Sequence, residues 1–246
     1  MPFTIIKEAQ PHKQKTMIYG LAGAGKSTLA SQMSRPLFID VEGGLTNMSV
    51  PHTPTIERYK QAVQCINMIH KEKEDFKKDY DTIVIDSIDW LVRKAEEHAA
   101  GIATIDDKGV EHKDMAATIG KANGGYGNGN KQLENHLRAE LMPALQLLVD
   151  DGFGIALIAH AEQKDVMDPD GYNVTKITPA IGERFMEAWV QWVDNVFYLR
   201  NDGGTRKLLL EGTPTILAKN RLKRTGEVNL EETTIQDVLK PKEANG

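Results

Sequence analysis

Gly20-Leu21-Ala22-Gly23-Ala24-Gly25-Lys26-Ser27 decides how this chain of 246 residues is read. The octet satisfies G-x-x-x-x-G-K-[ST] at every fixed position, the pattern of a loop that cradles phosphates. Its flanks agree: Thr16-Met17-Ile18-Tyr19 is an apolar, β-prone run, and Thr28-Leu29-Ala30-Ser31-Gln32-Met33 continues as a helix. A chance glycine-rich turn would leave that register of strand, loop and helix unexplained. Glycines let the backbone wrap a polyphosphate closely, so several N–H groups point inward at a helix N-terminus. In such a loop Lys26 reaches the β- and γ-phosphates and Ser27 offers its hydroxyl to Mg2+. Gly20, Leu21, Ala22, Gly23, Ala24, Gly25, Lys26, Ser27 and Thr28 are the expected nucleotide-binding residues. A nucleoside triphosphate is the ligand the octet implies.

Composition bounds the rest. Length favours one α/β domain. The formal net charge of −5 excludes a protein coated in basic surface. Nucleic-acid contact would then come from local patches, or from a groove shared between subunits. No apolar run approaches the ~20 residues needed to span a bilayer. Met1-Pro2-Phe3-Thr4-Ile5-Ile6-Lys7-Glu8 lacks the basic-then-apolar order of a secretion signal. The single cysteine, Cys65, excludes an internal disulfide and reads as a buried core thiol. A cytoplasmic setting follows, without a membrane partner. None of the six histidines other than His160 forms a metal-ligand spacing with Cys65 or with another of the six, so no zinc is expected.

Strands and helical stretches alternate, as in a mainly parallel sheet covered by helices. Pro36-Leu37-Phe38-Ile39-Asp40-Val41-Glu42 is a buried-type strand ending in acids. Residues 57–78 carry Val63, Ile66, Ile69 and Phe76 among charges and read as an amphipathic helix. Asp81-Thr82-Ile83-Val84-Ile85-Asp86 is a strand, followed by a helix through Trp90 and Leu91. Residues 132–149 form a helix with Leu133, Leu137, Leu141, Leu145 and Leu148 on one face. Gly154-Ile155-Ala156-Leu157-Ile158-Ala159-His160 is a further buried strand, and residues 161–183 follow as a long irregular stretch. Residues 195–230 read as short strands with a turn at Gly203-Gly204, which makes the C-terminal part antiparallel. One domain covers residues 1–246: a core of about 14–230, an arm of 1–13, and a tail from about 231 that is frayed over 241–246.

Two acids have a chemical reading. A carboxylate at the C-terminal end of a strand beside a phosphate loop holds Mg2+, usually through water. Asp86 fits, and Ser27 with Asp86 forms the expected metal pair. Ser87 follows Asp86 where many such ATPases place a glutamate that activates water, so the general base must lie elsewhere. Glu42, at another strand end, is the candidate. The alternative makes Glu42 an exposed loop acid and Asp40 a capping residue, and spacing alone does not choose between them.

The phosphate loop, Phe38-Ile39-Asp40-Val41-Glu42-Gly43-Gly44-Leu45, Val84-Ile85-Asp86-Ser87 and Ile158-Ala159-His160 together resemble the RecA-type ATPase core. More closely they resemble the phage-encoded RecA-like ATPases of the Sak type, which act as single-strand annealing recombinases. The resemblance runs from about Thr16 to Leu230. It implies ATP with Mg2+, Glu42 as base, Asp86 as the Walker B aspartate, and His160 as a sensor of the γ-phosphate that leads into a DNA-binding loop holding Lys164. It gives Ala122-Asn123-Gly124-Gly125-Tyr126-Gly127-Asn128-Gly129-Asn130-Lys131 the place of the first DNA-binding loop, where a base stacks on Tyr126 and Lys121 and Lys131 meet phosphates. Read without it, a flexible linker whose tyrosine packs on the surface is an equal alternative.

In Lys219-Asn220-Arg221-Leu222-Lys223-Arg224 the ordinary reading is a solvated basic turn. The resemblance instead makes Lys219 and Arg221 a finger that reaches a neighbouring subunit's ATP, which requires a homo-oligomer, ring or filament. The chain departs from bacterial RecA in lacking room for its N-terminal oligomerisation helix and in having no large C-terminal domain. Phe3-Thr4-Ile5-Ile6 could be a strand donated to a neighbour. The expected function is ATP-dependent binding and annealing of single-stranded DNA, with a single-strand-binding protein as a further partner. The alternatives are an ATPase that loads or remodels a replication or packaging partner, and a helicase-like motor.

Overall fold

The computed structural model describes residues 13–101, 104–105, 111–112, 119–120, 122, 125–167 and 171–240. Strand β1 (Lys15–Gly20) runs through the middle of the main sheet, because Met17, Ile18 and Tyr19 are apolar toward both faces and fully buried. The phosphate loop joins β1 to helix α1 (Lys26–Ala30). Then come β2 (Pro36–Asp40), α2 (Tyr59–Lys71), α3 (Lys73–Asp79), β3 (Thr82–Asp86) and α4 (Ile88–Gly101). A two-stranded ribbon, β4 (Thr104–Ile105) with β5 (Glu111–His112), follows. Helix α5 (Asn128–Asn135) continues through a π-helical turn at His136–Leu141 into α6 (Met142–Asp150). The second half comprises β6 (Gly154–Met167), β7 (Asn173–Pro179), α7 (Glu183–Trp192), β8 (Asn195–Asp202), β9 (Thr205–Leu209), β10 (Glu227–Asn229) and α8 (Ile235–Val238).

The strand order is β10-β9-β8-β1-β6-β3-β2, with β7 paired to β6. The five strands from β8 to β2 are parallel, and β9, β10 and β7 add antiparallel. This is the expected class: an α/β P-loop fold with antiparallel strands near the C-terminus. Alternate residues of each central strand feed separate cores. Met17, Leu37, Ile83 and Ile155 pack with the larger helices, whereas Ile18, Phe38, Val84 and Ala156 pack with Leu29 of α1 and with Ile235 and Val238 of α8. Strands buried on both faces read as continuous apolar runs.

Gly20 illustrates how tightly the centre is built. A β-carbon there would lie 2.3 Å from the Leu199 carbonyl oxygen on β8. Forcing it in must part β1 from β8, and overpacking of this kind costs roughly 1–3 kcal/mol. Gly20→Ala is expected to lower the thermal unfolding midpoint by about 3–10 °C, readable by circular dichroism. An unchanged midpoint would show that β8 yields without cost.

The structure departs from the sequence expectations in six places. Residues 161–167 and 173–179 are not irregular: β6 runs on past the sheet and pairs with β7 as an arm, Glu162 with Thr178, Lys164 with Lys176 and Val166 with Val174. The helix expected over 57–78 breaks at Glu72 into α2 and α3. Helix α1 ends at Ala30, short of Met33. Residues 215–218 form no strand: Ile216 makes an isolated bridge to Ile177, and Lys219 just beyond makes one to Val196. The tail expected from about 231 contributes fully buried Ile235 and Val238, because an apolar pair one helical turn apart needs a core to cover it. Cys65 is only half-buried, with its thiol pushed up by burial. The leucine stripe is as read: Leu133, Leu137, Leu141, Leu145 and Leu148 are all buried. Met1 to His12, Lys121, Asn123, Gly124 and residues 241–246 lie outside the described residues, and with them Phe3-Thr4-Ile5-Ile6 and the frayed end.

Candidate nucleotide site

The C-terminal ends of β1, β2 and β3 and the middle of β6 converge on a cavity of about 400 Å3. Ala22, Gly23, Gly25, Lys26, Ser27 and Thr28 form one wall, and Glu42, Asp86 and His160 face them. Gly25 caps α1 in the left-handed region, φ 93°, which a residue with a β-carbon rarely adopts. The Lys26 ammonium donates to the carbonyls of Gly20 and Leu21 at 3.2 and 3.1 Å. Burial lowers the Lys26 pKa, against the raising effect of Asp89, Glu42 and Asp86. Leu21 is exposed on the loop, and Ala24 is buried beneath it.

Asp86 ends β3, is buried, and hydrogen-bonds to Ser27. Its carboxyl is pushed up to about 6, mainly by burial, with the charges of Glu42 and Asp40 adding and the Ser27 hydrogen bond and Lys26 opposing. The Asp86–Ser87 peptide is cis. The Asp86 carbonyl also accepts from Val41 and Glu42 N–H at 2.7 and 3.2 Å, which fastens the end of β2 to the end of β3. That clasp presents Glu42, whose carboxylate accepts from Ser87 Oγ at 3.4 Å and lies 3.8 Å from His160 Nε2. Asp40 does what the capping alternative assigned to it: it accepts from Gly43 N–H at 2.7 Å and from Thr55 Oγ1 at 3.3 Å.

The residue missed from the sequence is Asp89. It lies in the first turn of α4 with its side chain almost wholly enclosed, and it accepts from the His160 backbone N–H at 3.2 Å while contacting His160 Nδ1 at 2.9 Å. A carboxylate on Nδ1 selects the tautomer that leaves Nε2 facing Glu42. The available signal was Asp-Ser-Ile-Asp at 86–89, a second acid one helical turn beyond the first.

The other expected residues stand apart from the cavity. Lys164 is on the arm, opposite Lys176 and paired with Glu162 at 3.0 Å. Tyr126 is fully exposed in a turn with φ 53°, and Lys131 is exposed in the first turn of α5. Lys219 bridges Val196 near the start of β8, whereas Leu199 in the middle of β8 is opposite Gly20, so Lys219 and Arg221 sit toward the other end of the β1–β8 pairing from the phosphate loop. Burial and then Arg221 lower the Lys219 pKa, and Arg221 pairs with Asp194 at 3.2 Å. Among the described residues no cluster of three or more His, Cys, Asp or Glu is arranged to hold a metal by itself. A P-loop Mg2+ needs no such cluster, since phosphate oxygens and water complete its shell. The Ser27 hydroxyl, the Asp86 carboxylate and the surplus negative charge around them fit that ion. No helix among the described residues is long and apolar enough to cross a membrane.

Fold and loop together define the class: this protein is a P-loop NTPase. It belongs to the AAA domain family, whose model matches residues 12–222. The chain is similar to the SPbeta prophage-derived uncharacterized protein YorG of Bacillus subtilis (strain 168), with 25% identity over 243 residues, 93% of this chain and 68% of that protein. Among solved structures it is similar to the RadB recombinase, at 15% identity and a TM-score of 0.48, over 89% of this chain and 87% of that one.

Proposed function

We propose that this protein is an ATP-dependent single-stranded DNA-binding and annealing recombinase that hydrolyses ATP in a homo-oligomer. The observation that carries the reading is the continuity of β6. The strand that brings His160 to the nucleotide cavity runs unbroken into the arm bearing Lys164, with Lys176 directly across from it. Two like charges in a directly opposed pair disfavour the hairpin; Glu162, 3.0 Å from Lys164, offsets part of that repulsion, and a polyanion along that face would relieve the rest.

In this reading the N–H groups of residues 20–28 and Lys26 hold the phosphates. Ser27 and Asp86 would hold Mg2+, which supplies positive charge to the phosphoryl oxygens. Glu42 orients the attacking water and takes its proton as the water oxygen bonds to the γ-phosphorus and the bridge to ADP breaks. His160, aimed by Asp89, couples the γ-phosphate to the arm. Lys219 and Arg221 act on a neighbour's nucleotide, a role their distance from the loop in their own subunit favours. Lys121, Tyr126 and Lys131 remain proposed DNA contacts.

The test is fluorescence anisotropy of a single-stranded oligonucleotide, with and without a non-hydrolysable ATP analogue, with Lys26→Ala as control. Binding should need the analogue, weaken with salt as phosphate contacts release counterions, and vanish in the variant. A second reading is a nucleotide-switched arm for a protein partner, favoured by the exposed Met167 and Tyr172 near the arm's end. Hydrolysis without oligonucleotide binding at low salt would select it and end the recombinase reading.

A further inference from the structure

We propose that Arg206 binds the α-phosphate of the nucleotide held in its own subunit. The proposal rests on the nucleotide-binding reading above and adds a residue on the side of the loop away from the carboxylates. β8 runs parallel to β1 with Leu199 opposite Gly20, so residues beyond Leu199 rise past the sheet edge beside the phosphate loop. The chain turns at Gly203 and Gly204 and returns as β9, with Arg206 opposite Asn201. Arg206 Cδ and Nη1 each lie 3.3 Å from where a β-carbon on Gly25 would stand. The arginine is thus packed on the backbone of the loop, against the residue before Lys26.

Its charge is the uncompensated one in this hairpin. Arg200 pairs with Asp202 and Glu227 at 3.2 and 2.8 Å, and Lys207 approaches the same two acids at 3.6 and 3.8 Å. Among the described residues the half-buried Arg206 guanidinium has neither an ion pair nor a side-chain hydrogen bond. The direction of the nucleotide supplies the partner. Asp86 and Glu42 belong to β3 and β2, on one side of β1, and mark the γ-phosphate end; β8 and β9 lie on the other side. A triphosphate laid from the carboxylates across the N-terminus of α1 leaves the loop toward Arg206, and its α-phosphate is the anion presented there. A planar guanidinium can fork onto two of its oxygens.

The test is equilibrium binding of ATP and of ADP to the full chain and to Arg206→Ala, Arg206→Lys and Arg206→Met. An α-phosphate contact is common to both nucleotides, so Arg206→Ala should weaken both equally, by roughly tenfold or more. Arg206→Lys should recover part of the loss. Recovery by Arg206→Met, which restores packing on Gly25 without charge, would overturn the proposal, as would a loss confined to ATP or affinities equal to wild type. A wild-type chain that binds neither nucleotide would instead bring down the nucleotide-binding reading itself.

Discussion

Glu42→Gln is expected to lower kcat for ATP hydrolysis by roughly 10²- to 10⁴-fold, the range for a positioned general base, while leaving nucleotide affinity nearly unchanged. Glutamine keeps the length of the side chain and can still accept from Ser87 Oγ, 3.4 Å away in the native protein. The clasp of Val41 and Glu42 N–H on the Asp86 carbonyl is backbone and survives the change. What is lost is the basic oxygen that faces His160 Nε2 at 3.8 Å. Asp89→Asn should produce a smaller fall, about one to two orders of magnitude by analogy with outer groups that orient metal-bound histidines. It removes the carboxylate that faces His160 Nδ1 without changing volume. Phosphate release at saturating ATP, beside binding of a fluorescent ATP analogue, separates these effects. Wild-type turnover in Glu42→Gln would place the base elsewhere and return Glu42 to the loop-acid reading.

How much of this site was legible depends on how local its chemistry is. The phosphate loop is a run of adjacent residues whose backbone must curl in one way, so eight letters suffice. Glu42 and Asp86 stand at the ends of apolar runs, and strand ends in a parallel sheet are where ligands gather. Asp89 is different in kind. An acid in the first turn of a helix reads as favourable to the helix dipole, and only His160, 71 residues later, gives it another meaning. The arm was hidden for a related reason. Gln163, Lys164, Asp165 and Gly171 look like loop composition, while the matching of Val166 with Val174 and Lys164 with Lys176 exists only once the two strands are in register. Arg206 sits in a hairpin rich in charge, and its approach to Gly25 follows from the pairing of β8 with β1.

Asp86→Asn should separate stability from function in opposite directions. The Asp86 carboxyl, ordinarily near 3.8, is pushed up to about 6, chiefly because it is buried and then because Glu42 and Asp40 add negative charge. A folded-state value above the unfolded one means that the folded chain prefers the protonated acid. Asp86 therefore favours folding most fully below about pH 3.8, and that contribution is lost as the pH rises through 6. At neutral pH the ionised group opposes folding by an amount on the order of 3 kcal/mol. Asparagine removes the charge and keeps the shape. Lys26 is not stranded, because it retains the Gly20 and Leu21 carbonyls and the charges of Asp89 and Glu42. The nucleotide-free variant should melt about 5–10 °C above wild type at pH 7.5, with the gain shrinking toward pH 4.5. The same variant should lose the Mg2+-dependent part of its stabilisation by ATP, because the carboxylate proposed to serve that ion is gone. Thermal unfolding at the two pH values, with and without ATP and Mg2+, reads both effects. A variant less stable than wild type at pH 7.5 without nucleotide would mean that Lys26 fully compensates Asp86. The cavity would then carry no surplus negative charge awaiting a cation, and the metal assignment would lose its electrostatic basis.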